Sequence, residues 1–219
     1  MVRIKMCGLR RAEDIIAVNE LRPEYIGFVF FPGSKRHVSP EAAKTLREKL
    51  ASGIRSVGVF VDEKPETVAK LFSEGIIDMA QLHGHEDEAY IRRLRSLTDR
   101  PLIQAFRIGC TEDIQRAQAS TAEMILLDAG AGDGKTFDWR LLHSVSRPYF
   151  LAGGLNPENV SRAVEQLKPY AVDVSSGIET DGFKDILKMR AFIKAVRWED
   201  LQYEYSKRTL WHPRRTVHP

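Results

Sequence analysis

The segment Arg3-Ile-Lys-Met-Cys-Gly-Leu9 decides between the two folds that this chain of 219 residues could adopt. It holds the first of eight short β-branched or aromatic runs that alternate with amphipathic stretches, a pattern typical of βαβ units in a parallel sheet. An open sheet that binds a dinucleotide would carry a glycine-rich fingerprint after an early strand, but this strand ends in Cys7-Gly8-Leu9. Polar signatures follow strands one, two, four, six, seven and eight, and those loops share one rim only in a barrel. We therefore predict an α/β protein with a single (β/α)8 TIM barrel.

The predicted elements alternate along most of the chain. Strands are expected at Arg3–Cys7, Tyr25–Phe30, Arg55–Val61, Met79–Leu82, Leu102–Phe106, Met124–Leu127, Tyr149–Ala152 and Ala171–Val174. Helical patterns lie at Ala12–Leu21, Pro40–Leu50, Glu66–Glu74, Asp87–Arg95, Glu112–Gln118, Pro157–Glu165 and Lys184–Val196. Ser39-Pro40 and Asn156-Pro157 each place a capping residue directly before a proline, which predicts that a helix begins at that proline.

Composition and charge describe an ordinary globular protein. Hydrophobic residues make up 43% of the chain and charged residues 29%, which allows a sizeable core. The formal net charge of +3 comes from the segment Ser206–Pro219, which holds four Lys or Arg and no acids. No basic stripe for nucleic acid is visible in the main body, so no nucleic-acid partner is expected. We predict a catalytic barrel over residues 1–197 and a basic extension, solvated or frayed, over residues 198–219.

Cysteine usage and hydropathy define the expected environment of the chain. Cys7 and Cys110 are the two cysteines, a count that does not suggest the disulfide scaffold of a secreted protein. No segment approaches the roughly 20 apolar residues that cross a bilayer. The first residues lack the apolar stretch of a signal peptide. We expect a cytoplasmic protein with no membrane partner, acting as a monomer or a homodimer.

Cys7 is the first candidate for chemistry. Strand alternation places Lys5 and Cys7 on one face and the apolar Ile4 and Met6 on the other. Because the apolar face should meet the helices, Cys7 should point inward at the C-terminal end of the strand, where barrel active sites form. It is either a small buried hydrophobe or a reactive thiol, and the ammonium of Lys5 would favour the thiolate. Spacing alone leaves both interpretations open.

Asp128 ends the sixth apolar run and precedes the glycine-rich segment Ala129–Lys135. An aspartate in this position is often only a turn or capping residue. The glycines that follow do not have the spacing of a nucleotide-binding P-loop. A mobile lid, or a close approach of the backbone to a ligand, suits the segment better.

Small residues follow strands seven and eight, in Gly153-Gly154 and in Ser175-Ser176-Gly177. Glycines and hydroxyl residues at these two points would expose backbone N–H groups side by side, and barrels frequently bind phosphate there. The two segments together predict a phosphorylated small-molecule substrate.

Two further loops carry side chains that bind ligands in other proteins. Arg36 follows strand two, and a guanidinium can hold a carboxylate in a bidentate pair, although most loop arginines are simply solvated. His83, His85 and Glu86 follow strand four. Three neighbours in one loop, with no further cluster of ligands, only weakly support a metal site, and we expect no metal.

Taken in order, these segments resemble the phosphoribosylanthranilate isomerase family. The resemblance spans roughly residues 3–195 and rests on Lys5–Leu9, Gly27–Pro32 with Ser34 and Arg36, Val57–Val61, Gln81–Gly84, Leu126–Asp128, Gly134–Trp139, Leu151–Pro157 and Val172–Glu179. Any single segment is weakly diagnostic, but the ordered set is highly specific. Residues that depart from those usual in the family are Met6, Arg10, Lys35, His85 and Asp133.

The resemblance implies an isomerase of tryptophan biosynthesis that carries out an Amadori rearrangement without a metal or cofactor. Carried over by position, it makes Cys7 the general base, Asp128 the general acid and Arg36 the residue that binds the anthranilate carboxylate. It places Asp173 at an inward polar position near the substrate nitrogen. The residues that fall in the family's phosphate-binding loops are Gly154, Ser175, Ser176 and Gly177.

Other phosphosugar barrels are the main alternatives. A pentose-phosphate epimerase should carry metal ligands on several strands, and the related histidine-pathway isomerase has an aspartate where Cys7 stands here. A non-catalytic phosphosugar-binding barrel would keep the phosphate loops but would not need Cys7 and Asp128 together. The presence of both residues favours the enzyme.

Overall fold

The computed structural model of the chain describes residues 1–128 and 139–209, and its first eight strands close into a barrel. These strands are β1 (Arg3–Cys7), β2 (Tyr25–Val29), β3 (Arg55–Phe60), β4 (Met79–Leu82), β5 (Leu102–Arg107), β6 (Met124–Asp128), β7 (Tyr149–Ala152) and β8 (Ala171–Val174). They pair in sequence order, all parallel, and β8 pairs with β1 to complete the ring. The predicted TIM barrel is confirmed.

Helices connect the strands on the outside of the barrel. They are α1 (Ala12–Leu21), α2 (Pro40–Glu48), α3 (Pro65–Ser73), α4 (Glu88–Arg95), α5 (Thr111–Ala119), α6 (Val160–Leu167) and α7 (Ile186–Thr209). Short 3-10 helices lie at Trp139–Ser144 and Ser176–Ile178, and a two-stranded hairpin, β9 (Glu179–Thr180) and β10 (Phe183–Lys184), follows β8. The predicted lid segment Ala129–Lys135, which contains Asp133, lies outside the described residues.

Side-chain alternation in the strands divides the core into two parts. Ile4 and Met6 of β1 are fully buried in the larger cluster, which packs the strands against the helices. A smaller cluster fills the inside of the barrel from early positions of the strands, and its main members are Tyr25, Val57, Met79, Ile103, Leu126 and Phe150. Lys5 and Asp173 are buried polar residues of adjacent strands, as expected for the inward face of β1. The interior therefore turns from apolar to polar towards the C-terminal ends of the strands.

The two predicted proline helix starts have different outcomes. The helix α2 begins at Pro40, and the Ser39 hydroxyl oxygen accepts a hydrogen bond from the Ala42 N–H at 3.2 Å. The prediction for Pro157 is wrong, because α6 begins at Val160. The Asn156 side chain instead accepts hydrogen bonds from the N–H groups of Glu158 and Asn159, each at 3.0 Å, and holds Pro157 in a turn. Asparagine competes for backbone donors in this way and delays the helix.

Replacing the cap of α2 tests the assignment of this helix start. Ser39→Ala removes the acceptor for the Ala42 N–H, and we expect the free energy of unfolding to fall by about 1 kcal/mol. Urea unfolding of the two proteins measures the difference. A variant as stable as the parent would show that water replaces the cap without loss.

The last helix is longer than its sequence pattern indicates. The pattern predicts a helix over Lys184–Val196, whereas α7 runs from Ile186 to Thr209 and continues past residue 197. The division into a barrel over residues 1–197 and an extension over 198–219 stays a prediction, and residues 210–219 lie outside the described residues. In the part of the chain that the structure describes, no helix has both the length and the apolar character needed to span a membrane.

Candidate active site

A cavity of about 500 Å³ opens at the C-terminal ends of the barrel strands. It is lined by residues from β1 to β4 and from β6 to β8, and from the loops that follow β2, β7 and β8. Of the eight catalytic and binding residues that the family resemblance implies, seven line it, namely Cys7, Arg36, Asp128, Gly154, Asp173, Ser175 and Ser176, whereas Gly177 does not. The closed barrel thus brings together side chains from positions 7 to 176.

Cys7 ends β1 and points into the cavity, as strand alternation predicts. Its backbone pairs with Gly27 of β2, where an added Cβ would lie only 2.6 Å from the Cys7 Sγ. A glycine at this position therefore leaves room for the thiol. Beneath it, the Lys5 Nζ donates a hydrogen bond of 2.9 Å to the Asp173 Oδ2 in a buried ion pair.

The thiol of Cys7 has a higher pKa than a free cysteine. Burial is the largest cause, since it penalises the thiolate, and the nearby charge of Asp173 acts in the same direction. The ammonium groups of Lys5 and Lys184 oppose this effect but do not outweigh it. Lys5 therefore favours the thiolate, as expected, but the net pKa of Cys7 is raised because burial dominates. Cys7 rests as a thiol at neutral pH.

Asp128 ends β6, and its carboxylate lies on the cavity wall with 30% of the side chain exposed. The Nε2 of His83, at the end of β4, lies 3.8 Å from the Asp128 Oδ2. The Gln81 amide nitrogen lies 2.9 Å from the His83 Nδ1 and donates to it when the proton of the ring is on Nε2. In that tautomer the ring directs its N–H towards the carboxylate.

The loops after β7 and β8 pack closely against each other. Gly154 has a φ of +66°, a left-handed conformation that favours glycine. Gly177 lies directly against the Leu155 carbonyl, so that an added Cβ would collide with this backbone. The Ser175 hydroxyl donates a hydrogen bond of 3.0 Å to the Cys7 carbonyl. The two loops are therefore joined to each other and to the end of β1.

Arg36, in the loop after β2, passes over the end of β1 and pairs with the segment after β8. Its Nε and Nη2 donate hydrogen bonds of 2.7 and 2.8 Å to the two carboxylate oxygens of Glu179. The Lys184 Nζ donates a further hydrogen bond of 2.6 Å to the Glu179 Oε1. Burial opposes ionisation of Glu179, but these two cations outweigh it and lower the pKa of the carboxyl to about 2. Arg36 is thus held in place at the edge of the cavity.

Comparison with known proteins shows the family to which the chain belongs. The family model described as N-(5'-phosphoribosyl)anthranilate (PRA) isomerase matches residues 4–195. This chain belongs to that family. The N-(5'-phosphoribosyl)anthranilate isomerase of Endomicrobium trichonymphae is 44% identical over 202 residues, which cover 90% of this chain and 99% of the relative. That of Acetivibrio thermocellus is 45% identical and covers 91% of this chain and 98% of the relative.

Solved structures agree with the sequence comparison. A phosphoribosyl anthranilate isomerase in complex with reduced 1-(o-carboxyphenylamino)-1-deoxyribulose 5-phosphate has a TM-score of 0.82 and 38% sequence identity. The match covers 90% of this chain and 100% of that protein. The predicted function is confirmed: the chain is an N-(5'-phosphoribosyl)anthranilate isomerase of tryptophan biosynthesis.

The candidate metal ligands of this isomerase diverge in space. His85 is exposed and pairs with Asp62 at 3.0 Å, whereas Glu86 accepts hydrogen bonds from the backbone N–H groups of Asp62 and Gly84. His83 alone of the three faces the cavity. In the described residues, no group of three or more His, Cys, Asp or Glu side chains is arranged to hold a metal ion.

Sequence reasoning missed several polar residues at the isomerase site. Gln81 lies in a matched segment, yet its sequence indicates no role beyond the end of a strand, and His83 was considered only as a weak candidate for a metal ligand. Glu179 closes the last matched segment, and its proximity to Ser175–Gly177 is a signal that could have found it. Lys184 gives no such signal, because only the β9–β10 hairpin brings it back to Glu179.

Proposed function

We propose that this isomerase rearranges N-(5'-phosphoribosyl)anthranilate by general acid–base catalysis, with Cys7 as the base and Asp128 as the acid. The observation that supports this most is that both side chains line one cavity, on strands β1 and β6. The cavity also contains the loops after β7 and β8, where barrels bind phosphate. One substrate can therefore contact the acid, the base and the phosphate loops together.

Asp128 acts first in the proposed sequence. Its carboxyl group protonates the furanose ring oxygen while the bond between that oxygen and C1 breaks. The nitrogen lone pair of the anthranilate forms a double bond to C1, which gives a protonated Schiff base and leaves Asp128 as a carboxylate. The His83 Nε2 lies 3.8 Å from this carboxylate, and in the tautomer protonated at Nε2 its N–H faces the negative charge that develops there.

Cys7 acts in the second step. The cationic Schiff base makes the C2 hydrogen acidic, and the sulfur removes it as the electrons form the C1–C2 double bond of an enolamine. Because burial favours the neutral thiol, Cys7 first releases its proton to solvent, and the positive charge of the Schiff base and the ammonium of Lys5 stabilise the thiolate. The enolamine then gains a proton at C1 and loses one at the C2 hydroxyl. The product is 1-(2-carboxyphenylamino)-1-deoxyribulose 5-phosphate.

The remaining residues bind and orient the substrate in this proposal. Gly154, Ser175, Ser176 and Gly177 supply the loops that hold the phosphate, and Arg36 pairs with the anthranilate carboxylate. Asp173 accepts a hydrogen bond from the substrate nitrogen. Its Oδ1 supports this role, because it is buried and has no hydrogen-bond partner among the described residues.

The proposal also covers location and assembly. A cytoplasmic enzyme is supported by its place in amino-acid biosynthesis, since phosphorylated intermediates are made and used inside the cell. The side chains assigned to the acid, the base and the substrate contacts all belong to one chain, which is compatible with a monomer or a homodimer.

A direct assay tests the whole proposal. The purified chain is mixed with N-(5'-phosphoribosyl)anthranilate, and the conversion is followed by the fluorescence of the anthranilate group and by product chromatography. Growth of a tryptophan auxotroph that lacks this isomerase step gives the same test in cells. Tight binding of ribose 5-phosphate without conversion would favour the alternative of a non-catalytic phosphosugar-binding barrel.

Arg36→Ala tests the carboxylate contact. Loss of a charge-assisted bidentate pair should raise KM by about tenfold or more and change kcat much less, because this contact is made in both ground and transition states. Steady-state kinetics measure the two effects separately. Arg93→Ala is a matched control, since Arg93 makes a similar pair with Glu66 on the exposed surface. A fall in kcat at unchanged KM would contradict the assignment.

A further inference from the structure

We propose that Glu179 is a positioning residue for Arg36, which holds one edge of the guanidinium so that the other edge meets the anthranilate carboxylate. The inference deepens the proposed function and rests on the role given there to Arg36. Neither the sequence nor the resemblance to the family gave Glu179 a role.

Glu179 binds one edge of the Arg36 guanidinium, and this determines which edge can bind a ligand. An arginine has five N–H groups in one plane, distributed over Nε, Nη1 and Nη2. Glu179 accepts from Nε at 2.7 Å and from Nη2 at 2.8 Å, which is a side-on bidentate pair. The edge formed by Nη1 and the second N–H of Nη2 has the same fork geometry. It can take a second carboxylate in the plane of the first.

The aliphatic part of the Arg36 side chain is also held in place by its surroundings. Its Cδ lies against the backbone of Gly8, so closely that an added Cβ at Gly8 would collide with it. Gly8 has a φ of +81° and directly follows the proposed base. The side chain of Arg36 therefore passes over the end of β1 and cannot swing freely once Glu179 holds its guanidinium. A fixed guanidinium loses less rotamer entropy when a ligand binds.

Glu179 is itself fixed by its surroundings. Only 6% of its side chain is exposed, and Lys184, its partner across the β9–β10 hairpin, donates to the Oε1 at 2.6 Å. The same ammonium donates a hydrogen bond of 3.0 Å to the Ser175 carbonyl. One buried carboxylate thus connects Arg36, through Lys184, to the predicted phosphate loop after β8.

The charges in this cluster suit an anionic ligand. Glu179 is ionised at neutral pH because its pKa is lowered to about 2, and it lies between the cations Arg36 and Lys184. Two positive charges and one negative charge leave an excess of one positive charge. A substrate carboxylate at Arg36 would neutralise this excess without competing for the edge that Glu179 already holds.

The kinetic test uses Glu179→Gln in the full-length enzyme. The amide of glutamine has only one oxygen, so it cannot accept hydrogen bonds from both Nε and Nη2 of Arg36 as the two carboxylate oxygens do. We therefore expect KM to rise by about tenfold, the usual effect of losing a hydrogen bond to a charged group. We expect kcat to stay within about twofold of the parent value. Inhibition by ribose 5-phosphate, which has no carboxylate, should be unchanged. Glu66→Gln is the matched control, because Glu66 pairs with Arg93 far from the cavity.

A double-mutant cycle shows whether Glu179 acts through Arg36. In the Arg36→Ala background, Glu179→Gln should no longer raise KM, since the residue it positions is gone. An unchanged or lowered KM in the single variant, or the same rise in both backgrounds, would overturn the inference. A parallel loss of ribose 5-phosphate inhibition would also overturn it, since that indicates a general disturbance of the site.

If Glu179→Gln does not fold, the conservative variant Glu179→Asp provides the same test. Glu179→Asp keeps the charge beside Lys184 but shortens the reach to Arg36, and it should raise KM in the same Arg36-dependent way. Different results would contradict the proposed function and this inference. A parent enzyme without isomerase activity removes both, whereas an active parent that needs Arg36 but not Glu179 removes only the inference.

Discussion

Cys7→Ala should lower kcat by at least about a hundredfold and leave the fold intact. A group that takes part in proton transfer typically contributes about 10²–10⁴-fold to the rate. No neighbouring thiol can substitute, because the only other cysteine, Cys110, is exposed at the start of α5, away from the cavity. The substitution removes one buried atom and introduces no charge, so the barrel should remain folded. Turnover of N-(5'-phosphoribosyl)anthranilate by the purified variant measures the effect.

Cys110→Ala is the matched control for this substitution. It removes the same atom from an exposed position and should keep the activity of the parent. Thermal unfolding of both variants checks that loss of activity does not reflect loss of structure. Near-normal turnover by folded Cys7→Ala would show that another group removes the C2 proton. It would also remove the role that we give to the end of β1.

Asp128→Asn should be equally damaging, with a fall in kcat of at least about a hundredfold. The amide has nearly the same shape as the carboxyl group but cannot protonate the ring oxygen of the furanose. Substrate binding should change little, because the binding contacts are assigned to other residues. The expected pattern is therefore a large loss in kcat at a similar KM, measured by steady-state kinetics.

Asp99→Asn provides the corresponding control, since Asp99 is exposed in the turn between α4 and β5. A substrate analogue in which the furanose ring is already open offers a sharper test. If Asp128 only opens the ring, the variant should convert the open-chain compound at close to the parent rate. Normal turnover of the natural substrate by Asp128→Asn would rule out Asp128 as the acid.

Local sequence patterns were sufficient to predict the positions of the catalytic candidates. The alternation of Lys5 and Cys7 with Ile4 and Met6 predicts which side chains point inward, because successive residues of a strand face opposite sides. Barrel closure then places the end of β6 and the loops after β7 and β8 on the same rim. Eight strands and their order were enough for this part of the site.

Other features depend on quantities that the local sequence does not contain. The pKa of Cys7 is raised because burial outweighs Lys5, and the depth of burial is known only when the whole barrel is assembled. The contact between Glu179 and Arg36 joins residues 143 positions apart and needs the β9–β10 hairpin to bring Lys184 alongside. The start of α6 was misplaced because the Asn156 side chain competes with the helix for backbone donors.

The ion pair between Lys5 and Asp173 joins positions 168 residues apart and sits at the seam where β8 meets β1. A ribosome delivers Lys5 at the very beginning of synthesis and its counter-ion only after more than three quarters of the polypeptide. Until then the ammonium has no carboxylate to pair with, and one wall of the pocket around the thiol is missing. Contacts of such long range also carry a large cost in loop-closure entropy, which slows folding. Cys7 therefore lacks part of its surroundings in the nascent chain, and catalysis requires that β8 has paired with β1 to close the barrel.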